Sequence, residues 1–191
     1  MARALTDLSW PRRTERLLLR PPVLDDMRAV HAYRADEETA RWLGAVATSV
    51  EEVAARMLGG GHGLVVERDG VVVGDLMLRV EDGWAQREVV EQARGAQAEL
   101  GWVVAPAHRG QGYAVEAVRE LVAVALELGV RRVVAHCFAD NHASRRVMER
   151  VGLRLEGHFR AESLHRDGTW RDSLSYALLA EERDGEATAA S

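Results

Sequence analysis

The sequence predicts an α/β (α+β) fold, a mixed central sheet with helices on both faces. Three observations predict it. Apolar runs and helical patterns follow one another in the order β-α-α-β-β-β-α-β-α-β-β, the order of a layered sheet domain. The run Glu99–Ala105 passes through a glycine-punctuated loop into an amphipathic pattern that puts Val115, Val118, Leu121, Val122, Ala125 and Leu128 on one face. A second run, Val133–Phe138, passes through Asp140-Asn141, a helix-capping pair, into a helical pattern that stops at Gly152.

The elements are justified in chain order. Leu17–Leu19 is a first strand, ended by Arg20-Pro21-Pro22. Asp25-Asp26 starts a helix that runs through about Ala35. A second helix follows Thr48-Ser49, with Ser49 and Glu52 as a capping box, and ends in Gly59-Gly60-Gly61. Leu64–Glu67 and Val71–Val80 form a hairpin across Arg68-Asp69-Gly70. The two strand–helix units above come next, and two strands close the chain. Residues 11–180 read as one domain, and residues 1–10 and 181–191 as flexible termini.

Composition narrows the function. A chain of 191 residues with 47% hydrophobic residues can bury a core. Its net charge of −5 argues against a general nucleic-acid binder. A single cysteine, Cys137, excludes an internal disulfide and fits a reducing, cytoplasmic setting; its place in a strand reads as a small core residue. No run approaches the length of a membrane span, so no membrane partner is expected. All 25 basic residues are arginines, which reads as coding bias rather than chemistry. The seven histidines are scattered, and His136 and His142 straddle a strand end, so no metal is expected. The run Gly59–Gly63 follows a helix and precedes a strand, the wrong polarity for anion capture.

The loop Pro106–Ala114 has the right polarity. Backbone N–H groups at a helix start lack partners and carry about half a positive charge. Glycines let an anion approach that backbone, and Arg109 adds a phosphate-binding side chain. Gly110-x-Gly112 lacks the third glycine of a dinucleotide fingerprint, and a chain without lysine has no nucleoside-triphosphate loop. The pattern Arg109-x-x-Gly112-x-Ala114 instead resembles the pyrophosphate loop of the GNAT N-acetyltransferases. Asn141-x-x-Ser144, followed by Gly152-Leu153, resembles the RimJ/RimL-like branch of that family. So do the opening Thr14-Glu-Arg-Leu-Leu-Leu-Arg-Pro21 and the ending Gly168–Leu179. The resemblance covers residues 12–180 and is weakest between Glu81 and Ala98.

The resemblance implies the GNAT acyl-CoA N-acyltransferase fold, with a V-shaped splay between the two central strands, those holding Val103 and Val134. It implies acetyl-CoA as co-substrate, without a metal. Arg109, Gly110, Gln111, Gly112, Tyr113 and Ala114 would take the pyrophosphate. Backbone of Trp102, Val103 and Val104 would pair with the pantetheine arm, whose amides Asn141 would bond. Glu99, at the start of the cofactor strand, is the candidate base or water-ordering group; a surface charge is the alternative. Ser144 resembles the family's thiolate-protonating residue; a helix-capping hydroxyl is the alternative. Trp42, Trp84 and Tyr176 are candidates for the acceptor pocket, with core packing the alternative.

The expected function is direct transfer of an acetyl group to a primary amine. The acceptor is a peptide N-terminus or a small monoamine, the segment 81–98 being only mildly acidic. An aminoglycoside-type antibiotic acceptor is one alternative, and a non-catalytic acyl-CoA-binding module another. Val89, Val90 and Ala93 form a short apolar stripe that could serve a homodimer contact.

Overall fold

A computed structural model describes residues 4–183. Its strands are β1 (Arg12–Arg13), β2 (Leu18–Arg20), β3 (Gly63–Arg68), β4 (Val71–Glu81), β5 (Gln97–Val104), β6 (Arg132–Phe138), β7 (Arg154–Leu164) and β8 (Trp170–Leu179). Its helices are α1 (Met27–Arg34), α2 (Glu37–Ala40), α3 (Val50–Gly59), α4 (Tyr113–Glu127) and α5 (His142–Val151). The strands make one eight-stranded mixed sheet in the order β1-β2-β3-β4-β5-β6-β8-β7. The β5–β6 ladder is parallel, and it spans only the pairs from Gln97↔Arg132 to Glu99↔Val134. Both strands continue beyond those pairs.

The described chain falls into two compact units, Leu5–Met77 with Gly101–Glu120, and Leu78–Leu100 with residues 121–183. The first unit packs Met27, Val30 and Tyr33 of α1 and Val53 and Met57 of α3 with Val65, Val103 and Ala105. Burying a side chain of this size contributes about 1.5–3 kcal/mol. In the second unit Val133, Val134 and Ala135 are buried in succession, the pattern of a strand covered on both faces. On α4 five of the six residues of the expected face, Val118, Leu121, Val122, Ala125 and Leu128, are buried, and Val115 is half-buried.

Local chemistry explains the element ends. Asp69 and Gly70 both have positive φ and form the β3–β4 turn. Asn141 caps α5 by accepting from the Ser144 N–H at 3.1 Å. Gly152 ends that helix at φ 99°, and the Leu153 N–H reaches back to the Met148 carbonyl at 3.0 Å.

Several details depart from the sequence reading. The capping box at α3 is split. Ser49 accepts from the Glu52 N–H, but the Glu52 carboxylate bonds the N–H and hydroxyl of Thr48, one residue earlier. Strand β1, paired with β2, and the short α2, capped by Asp36, were not expected. Asp25 and Asp26 lie in a 3-10 turn before α1. At the N-terminus Leu5–Asp7 form a 3-10 turn, Leu5 and Leu8 are buried, and the Trp10 indole donates to the Leu5 carbonyl at 2.8 Å. Of the tail expected to be flexible, residues 184–191 lie outside the described residues. The segment before β5 holds a 3-10 helix, Arg87–Ala93, with no buried residue.

Candidate active site

The first unit carries the loop expected to bind an anion. The 3-10 turn Pro106–His108 leads to Gly110 at φ 74° and Gly112 at φ 82°, conformations that favour glycine. The helix bonds of α4 begin with the Glu116 N–H on the Gly112 carbonyl at 3.1 Å. The N–H groups just before it are therefore aimed out of the helix start. A Cβ on Gly112 would lie 3.4 Å from Arg16 Nη2.

Arg109, expected on phosphate, is engaged by protein in this structure. Its Nε donates to the Val104 carbonyl at 3.3 Å, its Nη2 to Thr39 Oγ1 at 2.6 Å, and its Nη1 pairs with Glu38 at 3.2 Å. It ties the loop to α2. Gln111 is exposed, and its amide donates to the Ala107 carbonyl at 3.5 Å. Tyr113 is buried, with the guanidiniums of Arg16 and Arg68 over its ring at 4.9 and 5.2 Å. Its hydroxyl is the one buried side-chain polar atom among the described residues without a hydrogen-bond partner. Ala114 is half-buried.

The β5 backbone alternates its edges. The Ala105 N–H donates to the Val73 carbonyl at 2.9 Å, and a Cβ on Gly74 would strike the Val103 carbonyl. Val103 therefore faces β4, contrary to the expectation that it pairs with pantetheine. Trp102 and Val104 serve the opposite edge. The Val103 side chain belongs to the core.

The second unit carries Glu99, Asn141 and Ser144. Glu99 is not an isolated charge. Its Oε2 is paired with Arg79, which also pairs with Glu81 at 2.7 Å. These carboxylates, Glu99 foremost, hold the Arg79 pKa above its ordinary value. Asn141 is buried and spends its Oδ1 on the α5 cap. The capping bond at this helix start is that of Asn141, and Ser144 sits half-buried in the first turn. The loop before α5 is fixed from β8, where Arg171 bonds Asp140 at 2.7 Å and Asp167 at 2.6 Å.

The acceptor candidates differ in environment. Tyr176 is 1% exposed and donates to Glu149 at 3.1 Å. Burial, then that bond, raises its pKa. This is the buried tyrosine with a bonded hydroxyl. Trp42 is half-buried under Arg41, 4.8 Å from its ring centroid. Trp84 is 91% exposed, which removes the core-packing alternative for it. The segment around it is closed by the Gly83 N–H on the Ala93 carbonyl at 2.8 Å and the Gly95 N–H on Asp82 at 2.9 Å. Val89 and Val90 are exposed. Cys137 is half-buried, and burial pushes its thiol up to about 11. No group of three or more His, Cys, Asp or Glu placed to hold a metal occurs among the described residues.

Residues 16–154 match the family model of the acetyltransferase (GNAT) domain. The chain belongs to the GNAT acetyltransferases. The N-acetyltransferase YnaD of Bacillus subtilis is 31% identical over 88% of this chain and 96% of its own length. A GNAT acetyltransferase structure from Bacillus anthracis superposes with TM-score 0.74 at 29% identity, covering 88% of this chain and 98% of that one. Mycobacterium smegmatis RimJ, solved in complex with CoA-disulfide, superposes with TM-score 0.70 at 27% identity, covering 87% of this chain and 83% of that one. The protein is thus a GNAT-family N-acetyltransferase with RimJ among its structural neighbours. No helix among the described residues is long and apolar enough to cross a membrane.

Three side-chain contacts, each within one unit, lay beyond sequence reasoning: Arg16 with Glu116, Arg79 with Glu99, and Arg109 with Thr39. Each joins residues far apart in the chain. Only α2 had a local signal, Asp36 followed by Glu37-Glu38, an N-cap and an acidic first turn.

Proposed function

We propose that the protein transfers the acetyl group of acetyl-CoA directly to a primary amine, a peptide N-terminus or a small monoamine. The observation that carries the cofactor assignment is the loop from Gly110 to Ala114. Two glycines at positive φ open a 15-residue helix with outward N–H groups, a cradle for a pyrophosphate. The bound thioester would supply an activated acetyl group. Backbone of Trp102 and Val104, at the β5 edge turned away from β4, holds the pantetheine arm and offers N–H groups to the charged carbonyl oxygen. Asn141 adds a polar contact beside its capping bond.

Ser144 holds a proton at Oγ in the first turn of α5, where the helix dipole favours its release to the departing sulfur. Amines are mostly protonated near neutrality. Glu99 Oε1 takes that proton, directly or through a water, while Arg79 fixes Oε2. Exposed Trp84 and the segment around it form the acceptor rim. Five carboxylates there (Glu81, Asp82, Glu88, Glu91, Glu99) stand against three guanidiniums (Arg79, Arg87, Arg94). Such a balance suits one ammonium better than a polycation.

The test is thiol release from acetyl-CoA with a panel of acceptors: peptides beginning in Ala or Ser, small monoamines and aminoglycosides. Turnover on peptides or monoamines is expected. Turnover on aminoglycosides alone would replace this acceptor class. Binding without turnover on any of them would make the protein an acyl-CoA-binding module.

A further inference from the structure

The first unit contains a contact that no family role assigned above explains. The turn Thr14–Leu17 closes on itself, with the Thr14 N–H on the Leu17 carbonyl at 2.9 Å and the Leu17 N–H on Thr14 Oγ1 at 3.0 Å. From this turn Thr14 Oγ1 donates to Glu116 Oε1 at 2.5 Å, and the Arg16 N–H donates to the same oxygen at 2.8 Å. The Arg16 guanidinium reaches Glu116 Oε2 through Nε at 2.7 Å and Nη2 at 2.6 Å. Its Nη1 donates to the Gln111 carbonyl at 3.0 Å. One planar fork thus spans the loop and the first turn of α4.

We infer that Thr14, Arg16 and Glu116 form a clamp that fixes the Gly110–Gly112 loop in its anion-binding shape before acetyl-CoA arrives. They are positioning residues and rest on the cofactor reading above. Two glycines give the loop more backbone freedom than other residues would at those positions, and an unordered cradle loses affinity by the ordering it must undergo on binding. The clamp removes that loss by holding the Gln111 carbonyl, with Arg16 Nη2 3.4 Å from where a Cβ on Gly112 would stand. It also settles an electrostatic problem. A carboxylate in the first turn suits the helix dipole but repels a bound pyrophosphate. Arg16 neutralises Glu116 where it stands. Burial of Glu116 opposes its ionisation, yet the bonds from Thr14 and Arg16 hold its carboxyl below the ordinary range.

The clamp is tested with Arg16→Met, Arg16→Lys, Glu116→Gln and the mild variant Thr14→Val, each checked for a cooperative melt. Lysine keeps the charge but cannot span a carboxylate and a carbonyl as the fork does. Losing hydrogen bonds of this kind should raise the KM and Kd for acetyl-CoA about tenfold in the two Arg16 variants and in Glu116→Gln, and about threefold in Thr14→Val. The kcat at saturating acetyl-CoA should stay within about threefold, because these residues touch no reacting atom. Wild-type affinity in Arg16→Lys would mean that charge alone matters and would overturn the clamp. Tighter binding in Glu116→Gln would do so too, since Glu116 would then act only as a repulsive charge. Should Arg16→Met fail to fold, Arg16→Lys and Thr14→Val decide. Gly112→Asp separates the levels. If it loses acetyl-CoA while the clamp variants bind normally, the clamp alone falls; if it binds normally, the cofactor site itself is misplaced.

Discussion

Gly112→Asp is the substitution that most directly interrogates the cofactor loop. Its backbone cost is modest. Gly112 has φ 82°, a region that costs most residues about 1–2 kcal/mol but that Asp and Asn visit several-fold more readily. Its steric cost is small as well, because an added Cβ meets only Arg16 Nη2, at 3.4 Å. The variant should therefore fold. What it adds is a negative charge at the mouth of the cradle. Two like charges about 5 Å apart repel by roughly 1–3 kcal/mol at the effective dielectric of a protein surface, which is about 5- to 150-fold in affinity. The new carboxylate would also compete with Glu116 for Arg16, so the loss should lie in the upper part of that range.

The assay is the rise in melting temperature on adding acetyl-CoA at about 100 times the wild-type Kd. A ligand at that excess stabilises the folded state by about 2.7 kcal/mol, which for a chain of this size is roughly 5–11 °C. A tenfold weaker variant keeps about half of that free energy, and a hundredfold weaker one about a sixth. Gly112→Ala is the control. It carries the backbone cost without the charge, so it should lower the basal melting temperature and keep more of the ligand-induced shift than Gly112→Asp. An undiminished shift in a folded Gly112→Asp protein would refute the placement of the pyrophosphate at this loop.

Two further expectations concern chemistry and stability. Ser144→Ala and Glu99→Gln should both lower kcat, on the order of 10²-fold for loss of a general acid or base, with the KM for acetyl-CoA changing far less. A Ser144→Ala enzyme with wild-type kcat would reduce Ser144 to a first-turn residue of α5. Asp26→Asn should destabilise the fold by about 2 kcal/mol near pH 7, or about 4–8 °C, because a buried carboxylate then no longer accepts from Arg20 at 2.8 Å and from the Val23 N–H at 2.8 Å. Arg20, ahead of the opposing burial, lowers the Asp26 pKa in the folded state. The contribution is therefore complete above the unfolded carboxyl's ordinary range and is lost as pH falls through the lower folded value. The gap between wild type and variant should begin to close as pH falls below about 4 and vanish once it has passed the lower folded value, and a gap that widens over that descent would contradict the assignment.

The parts of this fold that were legible are those fixed by neighbours in sequence. The Asn141 cap and the Gly152 stop bound α5 because both act within one turn of the residues they serve. Asp69-Gly70 announced its hairpin because two successive positive φ values suit few other pairs. The loop at Gly110–Gly112 was legible for the same reason. The half-missed capping box shows the limit even at short range: Thr48 and Ser49 offer equivalent hydroxyls, and only the backbone path decides which one Glu52 meets. The environments of the candidate side chains were not legible. Trp42 is half-buried, Trp84 exposed and Tyr176 buried, yet each is an aromatic in a plausible place. Nothing near Val103 says that its carbonyl faces Gly74 rather than the other edge of β5.

The exclusive use of arginine, read from composition as carrying no chemistry, acquires a consequence in three dimensions. A guanidinium presents donors in a plane and can bond two or three acceptors on different segments, whereas an ammonium acts as a point charge. The fold uses that fork repeatedly within each unit. Arg20 joins Asp26 before α1 to Glu67 of β3. Arg109 joins β5 to α2. Arg171 joins the loop before α5 to the turn before β8. Arg16 joins the N-terminal turn to both the loop and α4. Most of these staples are partly exposed, where a simple ion pair contributes little to stability. Their effect is better sought in geometry: three of the four, those of Arg16, Arg109 and Arg171, hold the segments that lead into α4 and α5, the two helix starts assigned to the cofactor. Replacing such arginines by lysine should cost little in melting temperature but should loosen the segments they hold, and the Arg16→Lys variant is where those two effects can be told apart.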